Sequence, residues 1–128
     1  KKLSNFWEQE FILDNKKWLT VEHYYQGSKY KRNNPEHYNL FSLNSNSEVS
    51  RDAKKARELG SKKKISIDND FFNGRHEKVL EDGMRAKFTQ NKDLTSLLKL
   101  TKRAKLQLFI KGSEPKTYNS LMKIRSEI

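Results

Sequence analysis

The 128-residue chain contains no cysteine, so it can build neither a disulfide framework nor a thiolate metal site, and it suits a reducing, cytoplasmic compartment. Its three histidines, His23, His37 and His76, lack ligand-like spacing, which argues against a metal centre. The five glycines stand isolated, so no glycine-rich phosphate loop forms. No serine sits in a nucleophile elbow, and the signatures of zinc fingers and RNA-recognition modules are missing. No apolar run approaches the roughly 20 residues that a membrane span requires. No signal peptide is visible either. The chain opens on Lys1-Lys2 rather than methionine, which fits upstream trimming and leaves targeting open.

Apolar residues make up only 34% of the chain, and the mean hydropathy is -1.02. The aromatic fraction is nevertheless 11%, a content that disordered chains lack because nothing would offset the entropy of ordering them. These numbers predict one folded domain over residues 1–128 with a small, aromatic-rich core. The net charge is +11, from 27 Lys and Arg against 16 Asp and Glu. Such a surplus attracts phosphates, nucleic acid or anionic surfaces. A composition rich in Lys, Asn and Ile would give the same surplus on a solvated surface without any partner.

The local signals predict a helix-rich α+β fold with its strands at the N-terminus. Phe11-Ile12-Leu13, then Asp14-Asn15 and a run ending at Trp18, reads as a hairpin. Thr20 caps a helix from Val21 to Arg32, which Asn33-Asn34-Pro35 ends. Residues 36 to 50 read as a loop after a short helix. Ser50 or Asp52 starts a helix that Gly60 closes from the position just past its end. A basic connector follows, then a long helix from Arg75 to Gln90 and another from Leu94 to Leu100. Ala104 to Ile110 fits a strand or a helix, and the last helix runs from Lys116 to Ile128.

Two constellations stand out. Glu22, Gln26 and Lys29 lie at i, i+4 and i+7, on one face of the helix that starts at Thr20. That stripe is either a solvated face or an acid, an amide and a cation aligned to meet a sugar phosphate. Trp18, Tyr24 and Tyr25 lie close enough to line a ribose or stack on a base. In the long helix, Lys87 interrupts the apolar stripe of Leu80, Gly83, Met84 and Phe88, and Gly83 suggests the close approach of a backbone or ligand. Arg125 is a second cation on an apolar face, suited to pair with a buried carboxylate such as Glu22.

Leu3-Ser4-Asn5-Phe6 followed by Trp18-x-Thr20-Val21-Glu22-His23-Tyr24-Tyr25-Gln26-x-x-Lys29-Tyr30 resembles the N-terminal signature of the NADAR (YbiA-like) family. Ala56 to Gly60, Met84-Arg85-Ala86-Lys87-Phe88-x-Gln90-Asn91 and Leu121-Met122-x-Ile124-Arg125 resemble later segments of the family, in the same order. The resemblance implies an α+β fold and a pocket for ribosyl phosphates. It also implies cleavage of N-glycosidic bonds, in ADP-ribosylated guanine or nucleic acid or in riboflavin-pathway intermediates. Glu22 matches the motif glutamate and is the catalytic candidate. Ser4, Asn5 and Phe6 match the substrate-lining loop, and Trp18, Gln26, Lys29 and Lys87 match further binding positions. Tyr25 and Arg125 complete the expected site. In the expected roles Lys29 and Lys87 hold phosphates. The chain departs from many relatives in having Phe72 where they have tryptophan, and in lacking a Trp-Gly-x-Gly segment between Lys105 and Pro115.

An N-glycosidic bond breaks through an oxocarbenium-like sugar, which a carboxylate stabilises while a proton reaches the leaving base. Glu22 takes the first role; Asp68 and Asp70, read as solvated connector residues, are candidates for the second. This chemistry requires neither a metal nor a redox cofactor. The expected partner is a ribosyl-phosphate ligand such as ADP-ribose, with no membrane involved. Two alternatives stand beside this reading: a non-catalytic module that binds ADP-ribose, and a basic nucleic-acid-binding accessory domain.

Overall fold

The computed structural model describes residues 2–100 and 115–127, and its architecture is helix-rich α+β. Strands β1 (Phe11–Leu13) and β2 (Lys16–Trp18) pair antiparallel, with Phe11 opposite Trp18 and Leu13 opposite Lys16. Asp14 and Asn15 join them with φ of 57° and 58°, the left-handed pair that a tight hairpin turn demands and that these two residue types tolerate. Among the described residues six helices follow. They are α1 (Val21–Ser28), α2 (Pro35–Leu40), α3 (Ala53–Ser61), α4 (His76–Thr89), α5 (Lys92–Leu100) and α6 (Pro115–Glu127). Short 3-10 turns at Leu43–Ser45 and Val49–Arg51 and a wide turn at Phe71–Arg75 connect them. The segment from Ala104 to Ile110 lies outside the described residues. No helix among the described residues is long and apolar enough to cross a membrane.

Helix α1 sits at the centre, with α3 against one flank and α4 against another; α4 also packs on α5, α6 and β1. The core between these elements is aromatic. Trp18 is 0% exposed, its ring edge-on to Tyr24 at 5.1 Å and tilted against Tyr38 at 5.3 Å. Edge-to-face pairs of this kind add about 1 kcal/mol each beyond the area they bury. The close approach suggested by Gly83 is made by α1. A Cβ at that position would lie 3.1 Å from the Tyr24 ring and 3.3 Å from Val21.

The expected helix from Val21 to Arg32 ends early, at Ser28. The cause is Asp68. Its N–H donates to the Lys29 carbonyl at 2.6 Å, and its carboxylate accepts the N–H groups of Arg32 at 2.9 Å and Asn33 at 2.8 Å. Backbone groups that would otherwise extend the helical ladder are therefore bound to a carboxylate 36 residues away.

Helix α3 starts at the expected Asp52, whose side chain accepts the N–H groups of Lys54 and Lys55. It does not end at Gly60, however; the helix continues to Ser61. Gly60 is there because α1 comes so close: a Cβ on it would stand 2.0 Å from Gln26 Oε1.

Candidate functional site

The start of α1 is fixed by two side chains. The Thr20 hydroxyl oxygen accepts the His23 N–H at 3.1 Å and lies 2.7 Å from His23 Nδ1. His23 Nε2 is 2.8 Å from the Val49 carbonyl, which can only accept. The proton is therefore on Nε2, and Nδ1 accepts from the Thr20 hydroxyl. Burial pushes the imidazole below its usual pKa and keeps it neutral.

On this stapled turn Glu22 is buried. Its N–H donates to the Asn5 carbonyl at 3.1 Å, which ties the N-terminal loop to α1. Its carboxylate accepts Gln26 Nε2 at 2.7 Å. Two further acceptors here, Asn5 Oδ1 and Gln26 Oε1, are shielded from solvent and have no hydrogen-bond partner. A buried acceptor left unsatisfied costs about 1–3 kcal/mol, a deficit that a hydroxyl donor would relieve.

Lys29, one turn on, donates to the Gly60 carbonyl at 3.1 Å. Its ammonium lies 6.0 Å from the centre of the Tyr25 ring and 5.6 Å from that of Phe72. Tyr25 is half-buried, edge-on to Phe71, and Phe72 is an exposed aromatic. The structure thus brings Asn5, Glu22, Gln26, Tyr25 and Lys29 together along the flank of α1 that faces α3.

Other expected residues fall elsewhere. Trp18 is a core residue and offers no surface to a ligand; its indole N–H donates to the Leu13 carbonyl at 2.9 Å. Tyr24 likewise packs inside, against Trp18 and Phe11. Lys87 is 1% exposed, and its ammonium nitrogen donates to the Ser4 carbonyl at 2.7 Å. Burial lowers its pKa to about 7. It therefore supports the Ser4-Asn5-Phe6 loop from behind. The Ser4 hydroxyl also faces its own loop, accepting the Phe6 N–H at 3.1 Å. Arg125 is half-buried on α6, with its Nε shielded and lacking a hydrogen-bond partner.

Asp68 and Asp70 are not solvated connector residues. Asp68 is buried beneath Arg75 at 2.6 Å, and Asp70 pairs with Arg32 at 2.7 Å and Arg75 at 3.1 Å. Both carboxylates hold the chain in place through arginine and backbone partners. Among the described residues no group of three His, Asp or Glu side chains is arranged to hold a metal ion.

One feature escaped the sequence reading. A groove of about 640 Å³ is lined by Phe6, Lys54, Arg57, Glu58 and Ser61. Two of its lining residues are chain neighbours of the cluster: Phe6 follows Asn5, and Ser61 follows the Gly60 that touches Gln26. The Arg57 guanidinium lies 5.5 Å over the Phe6 ring. The signal was present in the spacing: residues 54, 57, 58 and 61 share one face of α3, opposite the buried Ala56 and Gly60.

The arrangement follows the order of the sequence motifs, and residues 1–108 match the NADAR domain. The chain belongs to the NADAR family. Its fold is similar to that in the NMR structure of the E. coli protein YbiA, with a TM-score of 0.67 and 22% sequence identity. The match covers 98% of this chain and 76% of YbiA. The sequence has no significant match among curated proteins.

Proposed function

We propose that this NADAR domain hydrolyses the N-glycosidic bond of ribosyl phosphates, with ADP-ribosylated guanine as the substrate class and Glu22 as the catalytic carboxylate. One observation carries the reading. A buried carboxylate, oriented by Gln26 Nε2 at 2.7 Å and with its backbone N–H bound to the Asn5 carbonyl, is held by two residues whose own side-chain acceptors, Asn5 Oδ1 and Gln26 Oε1, are unsatisfied. Acceptors suit a sugar, whose hydroxyls donate. A fixed negative charge suits the positive charge that develops on the sugar ring as the bond breaks. Water adds to the anomeric carbon, the bond from that carbon to the base nitrogen breaks, and the base leaves with the proton the water gives up. Glu22 lies at the N-terminal turn of α1, so a short rigid element holds it and little reorganisation is needed at the moment of reaction. Incubating the domain with ADP-ribosylated guanine should release ADP-ribose, read by mass spectrometry. Intact substrate after prolonged incubation would refute hydrolysis of this class.

A second reading has its own observation. Asp68 and Asp70, the carboxylates expected to supply the leaving base with a proton, are both committed to Arg75. That favours a domain that binds the ribosyl phosphate without cleaving it. ADP-ribose would then raise the melting temperature in a saturable way while the ribosylated base stayed intact.

A further inference from the structure

The two lysines expected to hold phosphates are otherwise engaged. Lys87 is enclosed and bonded to the Ser4 carbonyl, and Lys29 is bonded to the Gly60 carbonyl beneath the Phe72 ring. A ribosyl phosphate seated at Glu22 therefore needs another home for its negative charge. We infer that the groove between Phe6 and α3 is an anion subsite, in which Lys54 and Arg57 hold the diphosphate of a nucleoside-diphosphate moiety whose ribose lies at Glu22. This rests on the reading of Glu22 as the sugar-facing carboxylate.

The groove's chemistry supports the assignment. Lys54 and Arg57 are exposed, and neither side chain pairs with a carboxylate among the described residues. Arg57 presents a planar fork suited to two phosphate oxygens, and its stacking on Phe6 restricts its orientation. Lys62, Lys63 and Lys64 follow α3 directly and are exposed, adding positive potential at its far end. Glu58 on the same wall would repel a phosphate set against it, but it accepts hydroxyls. Together with Ser61 it suits a ligand that carries both sugar and phosphate, rather than bare anion alone. The position is also right. Phe6 is the residue after the Asn5 whose carbonyl holds the Glu22 backbone, and Ser61 is the residue after the Gly60 that touches Gln26. The groove and the Glu22 cluster are thus one residue apart along the chain on both walls, the cluster at the buried face of α3 and the groove at its exposed face.

The test uses amide NMR spectra of the intact chain titrated separately with ADP-ribose, inorganic pyrophosphate, adenosine and a single-stranded thymidine oligonucleotide. Calorimetry of Lys54→Ala/Arg57→Ala accompanies it. Both positions are exposed, so the double variant retains the core. ADP-ribose and pyrophosphate should shift the amides of Phe6, Arg57 and Ser61, and adenosine should leave Arg57 unmoved. The double variant should bind ADP-ribose about tenfold more weakly or worse. Unchanged ADP-ribose affinity in the double variant, with shifts confined to Glu22 and Gln26, would overturn the subsite and leave the glycosidase reading standing. Pyrophosphate binding in the groove without any ADP-ribose binding would uphold the anion site and sink the glycosidase reading. Silence towards both ligands would overturn the two together. Oligonucleotide binding over the same residues, falling steeply with salt, would overturn the assignment and hand the groove to a nucleic-acid backbone.

Discussion

Lys87 reaches from α4 to the carbonyl oxygen of Ser4, 83 residues away in sequence, at 2.7 Å. One residue along, the Asn5 carbonyl accepts the N–H of Glu22. The buried ammonium, the N-terminal loop and the start of α1 therefore form one connected support. Asn91 extends it, donating to the Lys87 carbonyl at 2.7 Å and accepting Gln9 Nε2 at 2.8 Å.

Burial makes Lys87 a pH-dependent element of stability. Its pKa falls from 10.5 to about 7 on folding, so between these values the unfolded chain binds the extra proton and the folded chain does not. Stability therefore rises with pH across that window. Urea denaturation of wild type and Lys87→Met, at intervals between about pH 7 and 10, checks it. The stability difference should move in favour of wild type as pH rises. Parallel profiles for the two proteins would show that the ammonium is not desolvated.

His23 works over a lower window. It is neutral in the fold because Nε2–H donates to Val49 and Nδ1 accepts from Thr20, and burial lowers its pKa below 6.5. The stability it provides is complete above pH 6.5 and is lost as pH falls through the folded value. The urea midpoint of wild type should decline between about pH 6.5 and 5 more steeply than that of His23→Gln. Thr20→Val removes the helix cap as well and should cost about 1 kcal/mol at neutral pH.

Gly60→Ala separates site from fold. The new methyl would meet Gln26 Oε1 at 2.0 Å and Cδ at 2.8 Å, which can swing away, and Gln26 Cβ at 3.0 Å, which yields only by a small shift of α1. Alanine gains up to about 1 kcal/mol over glycine in a helix, less in its last turn, which offsets part of the disturbance. The melting temperature should stay within about 4–8 °C of wild type. Glu22, deprived of the Gln26 hydrogen bond, should nonetheless turn over substrate about tenfold more slowly. Unchanged turnover would mean that Gln26 does not orient the carboxylate.

The elements that local chemistry defines were legible in the sequence. Asp14-Asn15 fixes the hairpin, and Thr20 and Asp52 begin their helices. Asn34-Pro35, read only as the end of the preceding helix before a loop, in fact caps and begins α2. What was not legible depends on residues far apart in the chain. Arg32 and Asn33 leave α1 because Asp68 claims their N–H groups, and no window around residue 32 contains that information. Gly60 has the residue type of a helix end but stands inside one because of Gln26. Trp18 and Lys87 occupy motif positions that read as ligand contacts, yet one fills the core and the other braces the loop behind it. The spacing of Glu22, Gln26 and Lys29 correctly put them on one face; it could not say that α3 would cover that face.

The central claim is that the Glu22 carboxylate does the chemistry, and Glu22→Gln tests it most directly. The amide keeps the shape of the side chain and its place beside Gln26, while the negative charge that would stabilise an oxocarbenium-like sugar is gone. ADP-ribose affinity should remain within a few-fold of wild type by calorimetry. Release of ADP-ribose from ADP-ribosylated guanine, followed by mass spectrometry, should slow on the order of 10²–10³-fold, as when one preorganised electrostatic group is removed. A variant as fast as wild type would contradict the account and remove Glu22 from the mechanism.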